Sequence, residues 1–146
     1  MKMTAFGPIS DENGNNHAIS SLKIPMKDLI YGPYGGRKVR EFQERHGGHV
    51  LGDLKGEGVY ENGFGDIITY SCYEIDRCRA LGRQLHFDLT YMDDIPGVLN
   101  NSGLWANKIT SYELRHIRDN WNWLYDVVKF YMNDKEVPAP WINMCL

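Results

Sequence analysis

Apolar residues between positions 109 and 132 recur at helical spacing and fall on two opposite sides of one predicted helix. At about 100° per residue, the first side gathers Leu114, Ile117, Trp121, Leu124, Tyr125, Val128 and Met132. The second side gathers Tyr112, His116, Trp123, Val127 and Phe130. A helix on the surface of a domain needs only one apolar side. The second stripe must therefore be covered, either by the chain itself or by another molecule.

The residues at the predicted start of this helix agree with the apolar spacing. Thr110 followed by Glu113 is a capping-box sequence, and Ile109 can pack against Leu114 as a hydrophobic staple. Asn133 suits a helix end, and the prolines that follow it stop a long continuation. The sequence therefore predicts one long C-terminal helix over 109–132.

The first 50 residues predict a hairpin and two short helices. Apolar stretches at 3–9 and 17–24 flank an Asn-Gly step, which is a strong hairpin turn signal. Pro25 can open a helical turn that runs to residue 30. The segment 37–46 predicts a short helix whose apolar residues Val39 and Phe42 point inward.

Two later segments predict strands. Residues 67–75 are rich in β-branched and aromatic side chains, and residues 84–92 alternate apolar with polar positions. Such alternation is typical of an antiparallel sheet that is covered on one face. The prediction is an α+β fold in a single domain, 1–146, in which an antiparallel sheet of about five strands carries a short helix and the long C-terminal helix.

Composition narrows the class of protein. The 146 residues are 42% hydrophobic and carry a formal net charge of −3, which argues against a nucleic-acid partner. The basic residues Arg37, Lys38, Arg40 and Arg45 alternate with glutamates, and we interpret them as solvated charge. No apolar run reaches membrane-spanning length and no signal-peptide core follows Met1, so we expect a cytoplasmic protein without a membrane association.

The strongest catalytic candidates are two histidines and two aspartates. His46 and His49 flank a Gly-Gly pair and could serve as general acid and base. The sequence Tyr91-Met92-Asp93-Asp94 resembles the strand-turn tetrapeptide with which reverse transcriptases hold magnesium ions. The resemblance covers four residues, and 146 residues leave little room for the rest of such a site. We interpret Asp93 and Asp94 as turn residues.

Metal and cofactor sites are not predicted. Four residues are of types that bind zinc in proteins, namely His46, His49, Cys72 and Cys78, but their spacing matches no common structural zinc pattern. The glycines have the wrong spacing for a Walker loop or a dinucleotide fingerprint.

The leading functional hypothesis is therefore a small protein that binds another macromolecule through the C-terminal helix and tail. Tyr112, His116, Trp123, Val127 and Phe130 would contact the partner, because aromatic side chains are enriched at binding hot spots. Such chains are compatible with inhibitors, immunity proteins and other bacterial or phage accessory proteins. One alternative is a small hydrolase or nuclease, dependent on histidine or a metal, that uses His46 and His49 with Asp88, Asp93 or Asp94. Another is a homodimeric assembly protein that buries the second stripe between two copies. In the simplest internal alternative, the apolar tail 138–146 or the first hairpin covers that stripe.

Overall fold

The computed structural model describes residues 22–33, 38–51 and 64–142. Within these ranges the chain forms a five-stranded sheet with helices. The strands are β1 (Ile24–Tyr31), β2 (Gly47–Val50), β3 (Leu85–Asp88), β4 (Val128–Met132) and β5 (Lys135–Val137). The helices are α1 (Lys38–His46), α2 (Phe64–Arg77), α3 (Ile95–Leu99), α4 (Ile109–Asp119) and α5 (Trp121–Leu124).

The sheet is mostly parallel, so the predicted antiparallel sheet is wrong. The strand order is β2-β1-β3-β4-β5, and only β5 runs antiparallel to its neighbour β4. Leu29 of β1 lies opposite Leu85 of β3, which in turn lies opposite Val128 of β4. All four residues of β3 are buried, including its polar ones. The alternation of apolar and polar residues in this segment therefore does not indicate a solvent-exposed face, because a parallel sheet is covered on both sides.

Helices cover both faces of the sheet. On one face, Ile75 of α2 and Leu114 of α4 belong to a core cluster with Leu29, Leu85 and Phe130. On the other face, α1 packs its apolar residues onto a second cluster, whose members are Ile24, Ile30, Val39, Phe42, Val50 and Tyr131. Neighbouring residues of one strand thus point into different cores.

The C-terminal helix is shorter than predicted. It begins at Ile109 as expected, but α4 ends at Asp119, and the chain continues through the short α5 into β4. Asn120 stands at the break, where its side-chain amide donates to the His116 carbonyl oxygen at 2.9 Å. Polar side chains that bond the backbone in this way compete with helix continuation. The segment after α5 is rich in β-branched and aromatic residues, which favour the strand once a neighbour such as β3 is available.

Other local predictions have mixed outcomes. The predicted helix 37–46 is present as α1, whereas the predicted helical turn at 25–30 is wrong because it lies within β1. The predicted strand 67–75 is helical in α2. Short apolar runs suit a buried strand or a buried helix equally well, and periodicity alone does not separate the two. The predicted hairpin at 3–9 and 17–24 lies almost wholly outside the described residues.

The predicted capping box is also wrong. Lys108 is the N-cap residue of α4 and makes no side-chain cap, while Thr110 lies inside the first turn and donates to the Gly32 carbonyl oxygen at 3.4 Å. Glu113 is buried instead of folding back on the helix start. No helix in the described ranges is long and apolar enough to cross a membrane.

Candidate functional site: a cleft at the carboxyl edge of the sheet

The carboxyl ends of β1 and β3 meet at the point where the chain leaves the sheet in two directions. After β1 the next helix, α1, packs on one face, whereas the chain after β3 leads to α4 on the opposite face. β1 and β3 are direct neighbours in the sheet. In open parallel sheets a crevice forms at such a switch point, and ligands bind there preferentially.

A cleft of about 580 Å³ lies at this switch point. The strand ends supply one part of its lining, consisting of Pro33 after β1 and Thr90, Tyr91 and Asp93 after β3. The volume falls in the range of about 300–1,000 Å³ that is typical of small-molecule sites. The topology and the cavity thus point independently to the same place.

The helix starts supply the other part of the lining. Lys38 is the first residue of α1, and Lys108 is the N-cap of α4. The Lys38 ammonium lies 4.6 Å from the centroid of the Tyr91 ring. Neither lysine has a carboxylate partner within the described part of the chain. Two cations next to the partly positive ends of two helices make this side of the cleft favourable for an anion.

Trp105 and Ile109 are large apolar residues of the cleft lining. Trp105 is half-buried and packs against the main core. Its carbonyl oxygen accepts hydrogen bonds from the Ser111 hydroxyl and from the backbone N–H of Lys108, the latter at 3.2 Å. These contacts tie the Trp105 backbone to the first turn of α4.

Asp88 holds the loop after β3 through hydrogen bonds from Thr90. This buried carboxylate accepts from the Thr90 hydroxyl at 2.6 Å and from the Thr90 backbone N–H at 3.1 Å. The Thr90 hydroxyl in turn accepts from the Asn133 backbone N–H at 2.8 Å. Burial raises the pKa of Asp88, while the two bonds from Thr90 act in the opposite direction. Asp88 thus holds Thr90 in place in the lining of the cleft.

The four predicted catalytic residues do not come together. The His46 Nε2 atom lies 2.9 Å from an Asp134 carboxylate oxygen that also accepts from Arg45, and His49 bonds the Met26 carbonyl oxygen through Nδ1. Asp94 is the N-cap of α3 and accepts from the Gly97 backbone N–H at 3.1 Å. Of the four, only Asp93 lines the cleft. In the described ranges no three histidine, cysteine, aspartate or glutamate side chains group as metal ligands.

The five predicted partner-contacting residues do not form one stripe. Phe130 lies in β4 with 1% of its surface exposed, and Val127 is also buried. Trp141, from the C-terminal tail, packs edge-on against Phe130 with ring centroids 5.4 Å apart. Tyr112 and His116 are half-buried on α4, and Trp123 on α5 is 36% exposed. The five residues share one side only if 109–132 is a single continuous helix, and the helix is interrupted at Asn120.

A buried polar chain crosses the sheet away from the cleft. Asp28 accepts from His86 Nε2 at 2.9 Å, and His86 Nδ1 lies 2.8 Å from the Tyr131 hydroxyl. Because a carboxylate only accepts, the imidazole donates to Asp28 and accepts from Tyr131. Burial lowers the pKa of His86 and raises the pKa of Tyr131 to about 12, which favours this neutral arrangement. The chain links β1, β3 and β4 and satisfies their buried polar groups.

Sequence reasoning missed most of the cleft. The sequence pattern indicates solvated charge at Lys38, and Trp105 and Lys108 belong to no motif. The position of these residues in the chain is the available signal for the cleft, because residues that directly follow parallel strands gather at the carboxyl edge of the sheet. That signal requires β1 to be recognised as a strand. Comparisons with protein-family models, curated proteins and solved structures found no match to this chain.

Proposed function

We propose that this protein binds a small phosphate-bearing molecule in the cleft between the ends of β1 and β3. The observation that carries the proposal is the pair of lysines, Lys38 and Lys108, which line one cavity without a carboxylate partner among the described residues. A lysine ammonium supplies three hydrogen-bond donors and a point charge suited to phosphate. The first turns of α1 and α4 add partial positive charge beside them.

The position of the cleft supports the same proposal. It lies where the connections after β1 and β3 diverge to opposite faces of a parallel sheet. The loop after β3, which contributes to its lining, is held by hydrogen bonds that include those of Asp88 with Thr90. A site organised before binding loses less conformational entropy when the ligand enters.

Calorimetric titration with ribose 5-phosphate, with ribose as the unphosphorylated comparison, tests the proposal. We expect saturable binding of ribose 5-phosphate and no binding of ribose. Lys38→Ala and Lys108→Ala should each weaken it about tenfold, since a hydrogen bond to a charged group contributes about 1.5 kcal/mol or more. Lys23→Ala is the matched control, because Lys23 is exposed before the first residue of β1, at the amino edge of the sheet.

Two results would overturn the proposal. Ribose 5-phosphate could fail to bind at millimolar concentration, or Lys23→Ala could weaken binding as much as the cleft variants. The second result would indicate attraction to overall charge instead of a site.

Binding of a macromolecule through the C-terminal segment stays a prediction, as does a homodimer formed by the same residues. Trp123 is the most exposed of the five residues on which that prediction rested. Hydrolysis by His46 and His49 also stays a prediction, and neither histidine is among the described residues that line the cleft.

A further inference from the structure

The lining of the cleft combines two kinds of side chain, which narrows the class of ligand. Lys38 and Lys108 are cationic, whereas Trp105 and Ile109 are apolar. A bare phosphate would use only the cationic residues. A ligand that uses both kinds must join an anionic group to a flat apolar group.

Trp105 is the aromatic side chain that is free to stack on such a group. The other aromatic residue in the described lining, Tyr91, already has the Lys38 ammonium over its ring at 4.6 Å. Trp105 has no such cation over it in the described part of the chain, is half-buried and lines the cavity. Base stacking on an aromatic side chain is a general mode of nucleotide recognition because every base has a π-face.

Asp93 supplies the third element of the lining. It is exposed at the cleft and makes no ion pair with any described residue. A carboxylate would repel the phosphate but accepts hydrogen bonds from sugar hydroxyls, as acidic residues do at the ribose of dinucleotides. An acceptor for hydroxyls, a pair of cations and a stacking surface in one cavity match the three parts of a nucleotide.

We infer that the ligand is a nucleoside phosphate, with its base against Trp105, its sugar hydroxyls toward Asp93 and its phosphate toward Lys38 and Lys108. The inference rests on the proposed function, because it requires a phosphate site in the same cleft. It adds the class of ligand and assigns Trp105 to base recognition.

Titration with adenosine 5′-monophosphate, ribose 5-phosphate and adenosine tests the inference. We expect the wild-type protein to bind adenosine monophosphate at least tenfold more tightly than ribose 5-phosphate. Trp105→Leu should remove about tenfold of the affinity for adenosine monophosphate and leave that for ribose 5-phosphate unchanged. Trp105→Phe keeps an aromatic ring and should retain most of the preference.

Trp123→Leu is the matched control, because Trp123 is also partly exposed but lies in α5 before the amino end of β4. It should leave both affinities unchanged, and circular dichroism should show that each variant is folded. Equal wild-type affinity for adenosine monophosphate and ribose 5-phosphate would overturn the inference and leave the proposed function standing. A parallel loss of both affinities in Trp105→Leu would also overturn it. If ribose 5-phosphate does not bind at millimolar concentration, the proposed function itself falls, and the inference falls with it.

Discussion

Glu113 is a carboxylic acid buried inside the domain, and its removal has a calculable effect on stability. It lies on α4, which packs against α2 over the main core. Burial raises the pKa of its carboxyl group from 4.5 to about 8, and a hydrogen bond with Ser71 opposes part of that shift. At neutral pH the folded protein therefore holds Glu113 protonated, whereas the unfolded chain holds it ionised.

The sign of the effect follows from this difference. The folded state binds one more proton than the unfolded state between pH 4.5 and about 8, so the free energy of unfolding falls as the pH rises through this window. The slope is about 1.4 kcal/mol per pH unit. Over about 3.5 units the loss approaches about 5 kcal/mol, a large part of the 5–15 kcal/mol that is typical of a whole domain.

Glu113→Gln tests this reasoning because glutamine has the shape of the protonated acid and does not ionise. Urea denaturation between pH 4 and 9 should give nearly equal stabilities for wild type and variant at pH 4, and a growing advantage for the variant up to pH 8. Glu136→Gln removes an exposed carboxylate from β5 and should keep the wild-type pH profile. Parallel profiles for wild type and Glu113→Gln would refute the raised pKa.

Two further substitutions test the packing of the domain. Arg83→Ala removes the buried partner of Glu74, whose carboxylate oxygen lies 2.5 Å from the Arg83 guanidinium. The free energy of unfolding in denaturant titrations should fall by about 3–5 kcal/mol. A fall below about 1 kcal/mol would show that this pair is solvated. Phe130→Ala opens a cavity among Trp121, Trp141 and Phe87 and should also cost about 3–5 kcal/mol, whereas Trp123→Ala should cost much less. Equal losses of melting temperature in these two variants would contradict the difference in burial.

Several local features can be predicted from short stretches of the sequence. Helix α1 (Lys38–His46) follows from the inward spacing of Val39 and Phe42, both of which are completely buried. The start of the C-terminal helix at Ile109 was also predictable from its periodicity. Its end was not, because the apolar residues after Asn120 fit a helix and a strand equally well, and only the adjacent β3 selects the strand.

The direction of the strands, and with it the candidate site, depends on contacts between distant parts of the chain. Whether short apolar segments pair in parallel depends on contacts between residues far apart in the chain, such as Leu29 with Leu85, and no local pattern encodes them. Lys38, Trp105 and Lys108 are separated by up to 70 positions and share a cleft only because β1 and β3 end side by side. Composition and spacing identified these residue types, but the parallel sheet placed them together.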